Sequence, residues 1–267
     1  SWAHIMMFAG FMMLFLGTTL LEVDHLAGKV SEKLHFHHGW YYVIYEGALD
    51  LFGLLFIIGI SLFLWRRMRR PSSVGHRASD WTALGLFLGI GVTGYFVEGL
   101  RIVWDRPEGL ALWCSPVGAG LAKLFGGMSE ATSRSAHLAV WWVHSLMVFG
   151  FFAMIPFTRL LHFITGPANL FFSTPSLGQL KPISIEEIEE TGVVGVSEIA
   201  HLDQQQLLSL DACMECGRCD DACPAFASGK PLSPKALVQD LKGLMQATAN
   251  GESVALHGDT IQAETVW

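Results

Sequence analysis

Four long apolar stretches, separated by short polar connections, fill the first 160 residues. Trp2–Leu21 carries no charge over twenty residues, and Gly39–Trp65 is interrupted only by Glu46 and Asp50. Trp81–Val97 is uncharged until Glu98, and Ser135–Thr158 is uncharged for twenty-four residues. A hydrocarbon layer of about 30 Å needs roughly 20 helical residues. Backbone groups in lipid must be satisfied inside the segment, so the pattern predicts four transmembrane helices. A helical soluble core is the plainer alternative, and four such stretches in so short a span disfavour it. Leu110–Phe125 predicts a short interfacial helix in the connection at 105–134. Beyond residue 168 the pattern changes. Ser233-Pro234 reads as an N-cap with a first-turn proline, and Leu237, Val238, Leu241 and Leu244 follow at helical spacing, so Lys235–Gln246 predicts an amphipathic helix.

Composition agrees. Of 267 residues, 51% are hydrophobic and 15% charged, and the mean hydropathy is +0.41, which excludes a disordered chain and disfavours a wholly water-soluble one. Residues 1–168 hold 12 Lys/Arg against 10 Asp/Glu, whereas residues 169–267 hold 5 against 14. The acidic part has no basic patch of the nucleic-acid type. Arg66, Arg67, Arg69, Arg70 and Arg77 crowd the connection between the second and third helices and place it on the cytoplasmic side. The first helix then starts inside, the fourth ends inside near Arg159 and His162, and everything after it is cytoplasmic. The first residue is Ser1 and no signal-peptide layout follows, so the natural N-terminus is expected to lie upstream.

Histidine is rare in apolar helices because its ring needs a partner there. His4 opens the first helix, His25 falls just past its expected end, and His137, His144 and His162 run along the fourth. The eighteen residues from His144 to His162 are five helical turns, so both rings are expected to share a face, about 27 Å apart along the axis. His137 lies within roughly 20° of the same face. Two facing imidazoles can ligate a haem b axially. His4 and His162, at matching depth, suit an inner haem; His144 with His25 suits an outer one, with His38 and His137 in reserve. Interfacial histidines bonded to headgroups or carbonyls are the alternative. His35, His37, His76, His201 and His257 lie in polar stretches and read as surface residues.

Glu46 and Asp50 sit one turn apart on the second helix. They read equally as proton carriers at a quinone site or as partners of Arg101 or of another helix. Glu98 and Arg101 mark the outer end of the third helix, as an interfacial ion pair or as part of a quinol site.

Cys213-x-x-Cys216-x-x-Cys219-x-x-x-Cys223-Pro224 is the bacterial ferredoxin spacing for a [4Fe–4S] cluster, whose fourth cysteine often serves a second cluster. Zinc favours two separated pairs, and a redox dithiol needs one. The chain holds no second run, so either Cys223 closes a single cluster or its partner ligands lie beyond residue 267. Cys114 stands alone, with no assigned role. Pro175, Gly178 and Pro182, followed by Glu186, Glu187, Glu189 and Glu190, read as a connecting arm ending in a solvated acidic helix face. The expected architecture is an all-α membrane protein: a four-helix transmembrane bundle at 1–168, a linker arm at 169–200, and a small ferredoxin-like α-helical iron–sulfur domain at 201–267.

Two motifs, Trp141-Trp142-Val143-His144 and Pro156-Phe157-Thr158-Arg159-Leu160-Leu161-His162, resemble the last helix of the gamma subunit of respiratory nitrate reductase, a dihaem cytochrome b. Leu14-Phe15-Leu16-Gly17 resembles an earlier haem-bearing helix of that family, with Thr18 standing where the family has histidine. The chain as a whole is similar to heterodisulfide-reductase-related iron–sulfur proteins. The match runs through Glu98-Gly99-Leu100-Arg101, Ala168-Asn169-Leu170, Cys223-Pro224-Ala225 and Gly229-Lys230-Pro231-Leu232-Ser233-Pro234. Those proteins join such a cytochrome b domain to a two-cluster ferredoxin domain and then to cysteine-rich CCG domains. The resemblance implies two b haems, a second cluster beyond Trp267, and menaquinone or ubiquinone as substrate. It also implies partner subunits or an acceptor protein, and a bacterial or archaeal cytoplasmic membrane. No CCG cysteines are present, so no catalytic residue is carried over.

The expectation is therefore an electron-transfer oxidoreductase that connects the quinone pool to a cytoplasmic acceptor through two haems and a cluster. A non-catalytic anchoring and relay subunit of a larger complex is the alternative. A transporter using Glu46 and Asp50 ranks last, because inverted halves and broken-helix signals are missing.

Overall fold

The computed structural model describes residues 2–69, 77–107, 109–173, 185–192, 196, 198–252, 256 and 261. Arg70, His76, Pro175, Gly178, Pro182, His257 and Trp267 lie outside them, as does the Glu187 side chain. Among the described residues the chain is helical, without a β-strand. It divides into two compact units, Ser1–Arg70 with Arg77–Met154, and Ile155–Trp267.

The first unit holds helices α1 (Trp2–Val30), α2 (Gly39–Met68), α3 (Ala78–Asp105), α4 (Leu110–Cys114), α5 (Pro116–Leu124) and α6 (Glu130–Met154). Helices α1, α2, α3 and α6 are each long and apolar enough to cross a membrane. Large apolar side chains crowd their outward faces, Ile44 (68% exposed), Leu146 and Phe149 among them. A water-soluble monomer would not carry so continuous an apolar surface. The chain is a multi-pass all-α membrane protein. All four spans are longer than the uncharged windows in the sequence, because their polar ends find partners. His25 accordingly lies inside α1 rather than past its end.

Small residues set the approach of α1 to α2. A Cβ at Gly10 would fall 2.7 Å from the Phe52 carbonyl oxygen, and one at Gly59 would fall 2.7 Å from the Met7 amide nitrogen. Without a hydrophobic drive between helices in lipid, such close backbone packing supplies much of the attraction. At the bundle centre Phe11 of α1 meets Phe56, Phe87 and Phe151 at ring separations of 6.5, 6.2 and 5.6 Å, which joins all four spans. Arg67 and Asp80, 2.8 Å apart, tie the end of α2 to the start of α3.

Two sequence expectations need correction. The interfacial helix expected over Leu110–Phe125 is two short helices, α4 and α5, meeting at Ser115 (φ −113°, ψ 63°) with Pro116 in the first turn of α5. Proline starts a helix well but restricts the residue before it, so one cannot run through. The helix bearing His137 and His144 likewise does not continue to His162. It ends at Met154, and two 3₁₀ turns follow, Ile155–Phe157 and Arg159–Leu161. Pro156 has no N–H to give and clashes with the preceding turn. Thr158 is extended (φ −134°, ψ 176°), and its side chain accepts from the Leu160 amide. The five-turn register from His144 to His162 therefore does not hold.

The second unit contains α7 (His162–Phe172), α8 (Ile185–Thr191), α9 (Gln204–Ala212), α10 (Arg218–Ala222), α11 (Pro224–Ala227) and α12 (Pro234–Ala249). Helix α8 carries Glu186, Glu189 and Glu190 exposed, the solvated acidic face expected. Helix α12 starts as expected: the Ser233 hydroxyl accepts from the Ala236 amide at 3.1 Å, with Pro234 in the first turn. Its Leu244 packs with Ile199, Leu256 and Ile261, flanked by Leu237 and Leu241, into the core of this unit. Arg159 pairs with Glu215, and the Thr165 hydroxyl donates to the Asp211 carbonyl oxygen at 3.3 Å.

Candidate functional site

Side chains of α2 and α3 converge on Arg101 of α3. One guanidinium nitrogen, Nη2, lies 2.7 Å from Glu46 Oε2 and 2.9 Å from Glu98 Oε1. Nε donates to Glu98 Oε2 at 3.0 Å, and Nη1 donates to Asp105 at 2.9 Å and to the Tyr42 hydroxyl at 3.0 Å. Glu46 is 9% exposed and also lies 3.4 Å from the Ser115 hydroxyl, which donates to it. Three carboxylates thus share one fixed cation. A planar guanidinium serves such a cluster where a point-charge ammonium would not. The structure brings Glu46, Glu98 and Arg101 together, but Asp50 goes elsewhere. Its two oxygens accept from the Val117 and Gly118 amides at 3.2 and 3.0 Å, at the open N-terminus of α5. Of the alternatives left open for Asp50, attachment to another helix is the one observed.

Next to this cluster, residues 31–38 fold back against α1. Asp24, 2% exposed, accepts from the Phe36 and His37 amides at 2.6 and 3.0 Å and pairs with His35 Nδ1 at 2.7 Å. His37 is not the surface residue its polar neighbours suggest. Its ring stands nearly perpendicular to those of Tyr41, Tyr42 and Tyr45, at 5.7, 5.2 and 4.6 Å. Its Nδ1 and the Tyr41 hydroxyl are buried without a hydrogen-bond partner. Burial holds the His37 imidazole below its ordinary pKa; Asp24 opposes this, while Arg101 and His35 reinforce it. Sequence reasoning missed this cluster, although the aromatic run Trp40-Tyr41-Tyr42 directly after three histidines was a readable signal.

The remaining histidines differ in how they are held. His144 places Nδ1 3.0 Å from the Thr93 hydroxyl. That hydroxyl also lies 2.7 Å from the Gly89 and 3.2 Å from the Ile90 carbonyl oxygen; with its proton given to one of these, its oxygen is left to accept from His144 Nδ1. The lone pair then sits on Nε2, which is the state a metal-binding imidazole needs, with its other nitrogen held by an acceptor. His162 reaches that state differently, with Nδ1 2.6 Å from the Arg159 carbonyl oxygen, which can only accept. His4, half-buried, stands edge-on to Phe8 and Phe63 at 6.4 and 6.2 Å. His137 meets Trp104 edge-on at 6.1 Å. His25 is exposed on α1, and His38 is exposed with its ring 6.3 Å from that of His35. Among the described residues no contact joins His144 to His25, His38 or His137.

In the second unit the cysteine run follows α9. Glu215 (φ 53°) and Gly217 (φ 78°) turn the chain between Cys213 and Cys219. Left-handed residues here coil the segment tightly and carry its amides round the turn. Gln239 Nε2 donates to Cys213 Sγ at 3.2 Å. Asp220 is buried and accepts from the Ser233 hydroxyl at 3.0 Å and the Lys235 amide at 2.9 Å, which fastens α10 to the start of α12. Cys216 and Cys219 are exposed, Cys213 and Cys223 half-buried, and none of the four is in a disulfide. Among the described residues no three histidine, cysteine or carboxylate side chains gather as a metal-holding group. The fit to a cluster therefore rests on the donor set, the tight turn and the amide given to Cys213. Cys114 faces α2, where a Cβ on Gly47 would lie 3.4 Å from its own.

Comparison with known proteins gives a consistent picture. The chain is 33% identical over 261 residues to the EtfAB:quinone oxidoreductase of Syntrophomonas wolfei, covering 93% of this chain and 35% of that protein. It is 29% identical over 242 residues to FadF of Bacillus subtilis, named as a probable iron–sulfur-binding oxidoreductase, covering 90% and 33%. It is 24% identical over 178 residues to one subunit of the dihydromethanophenazine:CoB–CoM heterodisulfide reductase of Methanosarcina thermophila, covering 62% and 56%. The chain spans about a third of the length of the first two relatives. No solved structure matches it. Residues 2–178, which include all four spans and the turn before α7, match the model of the nitrate reductase gamma subunit. The chain belongs to the nitrate reductase gamma subunit family.

Proposed function

We propose that this chain is the membrane electron-transfer part of an iron–sulfur oxidoreductase, exchanging electrons between the quinone pool and a cytoplasmic acceptor. The observation that carries this reading is one chain joining a bundle of a cytochrome b family to a Cys-x2-Cys-x2-Cys-x3-Cys-Pro run. The relatives named as quinone and iron–sulfur oxidoreductases support it.

In this reading His144 and His162 present Nε2 to haem iron, His4 serves the inner haem with His162, and His25 or His38 serves the outer one with His144. Cys213, Cys216 and Cys219 hold a [4Fe–4S] cluster, with Cys223 either closing it or serving a second. When bound, these groups supply one-electron redox chemistry, and the protein sets ligands, burial and hydrogen bonds. The chain's own residues do the rest. Thr93 and the Arg159 carbonyl fix the imidazole tautomers, and Gln239 donates to a cluster thiolate. The Arg101 cluster holds carboxylates that take or give quinone protons.

In this reading the chain comprises a cytochrome b domain at 1–168, an arm at 169–200 and an iron–sulfur domain at 201–267, although the compact units divide earlier, between Met154 and Ile155. The iron–sulfur part lies on the cytoplasmic side of a bacterial or archaeal membrane, because four crossings return the chain to the side of the arginine-rich connection.

A dithionite-reduced optical spectrum with haem quantification tests this. Two b haems per chain and a cubane EPR signal are expected; a protein purified with its membrane fraction intact and devoid of haem overturns it. A relay subunit without its own quinone site is the second reading, favoured by the likeness to a heterodisulfide reductase subunit. Quinol-driven haem reduction in the purified protein separates the two.

A further inference from the structure

We propose that α7 lies along the bilayer surface at which the last span ends, with its exposed apolar stripe sunk among the lipid chains, and that it holds the cysteine turn at that surface. This rests on the membrane-spanning character of the chain and not on which cofactors it carries.

The helix itself shows the stripe. Ile164, Pro167 and Phe171 follow at three- and four-residue spacing and so share one side of α7. All three are exposed, Phe171 by 82%. Leu170 is exposed as well, and so is Phe157 in the turn before the helix. Thr165 and Asn169 occupy the opposite side, where Thr165 is buried and its hydroxyl donates to the Asp211 carbonyl oxygen. Other helices of this unit are different. Among the described residues α9 and α12 expose no large apolar side chain, and Gln206 and Gln246 are among those they do expose. Apolar surface concentrated in this way marks a contact.

Charge and position name lipid as the occupant. No Lys, Arg, Asp or Glu falls between residues 160 and 180. A protein-docking surface ordinarily has a polar rim around its apolar centre, whereas lipid chains require none. Arg134, paired with Glu130 at 3.0 Å and more than half exposed, marks the polar beginning of α6. Met154 comes twenty residues later, about 30 Å away at helical rise. That equals the thickness of the hydrocarbon layer, so α6 ends where the headgroups begin. Only residues 155–161 then precede α7, as two 3₁₀ turns around the extended Thr158. At about 2 Å per 3₁₀ residue and about 3.5 Å for Thr158, they reach no further than about 16 Å. An amphipathic helix that starts so near the headgroup layer buries its stripe by lying in that layer.

The packed side gives the arrangement its use. Arg159 pairs with Glu215, and Thr165 bonds to Asp211, so the contacts fall on either side of Cys213. Lipid on one side of α7 and these contacts on the other keep the turn from Cys213 to Cys219 beside the membrane.

The test uses the full protein in its own membranes, with the photocrosslinking amino acid p-benzoylphenylalanine replacing Phe171, Leu146 or Gln206 in turn. All three side chains are exposed, so the replacements leave packing intact. Leu146 reports the lipid-facing side of α6, and Gln206 reports the polar side of α9. After irradiation, mass spectrometry of the modified peptide identifies what was captured. A phospholipid adduct is expected at 171, at a yield within about threefold of that at 146 and at least about tenfold above that at 206. Apolar contact carries no ionic component, so a high-salt wash before irradiation should leave this yield unchanged. An adduct at 171 to another protein or to a second copy of this chain overturns the proposal. So does a lipid yield at 171 no higher than that at 206.

Discussion

Thr93 shows how much of this site depends on single hydroxyls. It lies in the interior of an apolar helix, where a Ser or Thr usually returns its proton to the preceding turn. Thr93 does so at Gly89, and that frees its oxygen to accept from His144. Valine has nearly the same shape but cannot accept. If His144 ligates haem as proposed, Thr93→Val should leave the fold intact and loosen that haem by about 10-fold or more, as loss of an outer hydrogen bond does for metal-bound histidines; haem content after gel filtration is the measurement. Arg101 is a harder case. Removing it strands a buried Glu46 beside Glu98 and Asp105, so Arg101→Leu should cost about 3–5 kcal/mol, read as a lower melting temperature in detergent. A melting point within a degree of the unsubstituted protein would show the cluster to be solvated and the carboxylates independent of Arg101. Gln239 is milder: if Cys213 holds the proposed cluster, the Gln239 amide would stabilise its thiolate, so Gln239→Leu should lower the cluster midpoint potential by on the order of tens of millivolts, with the EPR signal retained.

At the scale of elements, small side chains and prolines decide where helices meet and where they stop. Gly59 faces the α1 backbone so closely that a single methyl group would fall 2.7 Å from Met7 N, whereas Gly85 has nothing within 4 Å of its would-be Cβ. The two glycines make a matched pair. Gly59→Ala should destabilise by about 1–3 kcal/mol through forced separation of α1 and α2. Gly85→Ala should be neutral or stabilise by about 0.5–1 kcal/mol, since alanine loses less entropy in a helix. Equal melting shifts for the pair would contradict the close α1–α2 approach. Prolines act differently. Pro116 divides the expected interfacial helix, and Pro156 ends α6 before His162. The hydrophobic pattern is continuous through Pro156, which is why apolarity alone predicts one helix there. Backbone hydrogen bonding, not burial, terminates it.

For the molecule as a whole, the sequence revealed the spans because lipid imposes a length and a polarity that nothing else in the chain imitates. The cysteine run stands out by its spacing, which is the spacing the proposed cubane would need. Glu46, Glu98 and Arg101 were legible as charges out of place, and their meeting followed from the cost of leaving any of them alone. His37 was not legible. Its neighbours are polar, and only the fold of residues 31–38 over Asp24 reveals that it turns inward. The Thr93–His144 pairing joins residues 51 apart on two helices whose relative rotation no local pattern encodes. What parity of crossings does encode is sidedness. If all four spans cross, the chain returns to the side from which it started, and the excess of positive charge at Arg66, Arg67, Arg69 and Arg77 would place that side in the cytoplasm. Single cysteines placed at Ser79 and at Gln205, in a background where Cys114 is serine, should therefore both be protected from a membrane-impermeant maleimide in intact cells. A cysteine at Gly127, in the connection before α6, should be labelled at once. Adding detergent should expose all three. Labelling of the Gln205 site in intact cells, with Ser79 still protected, would mean that one span fails to cross, and electrons from the bundle would then have to be delivered to the opposite side of the membrane.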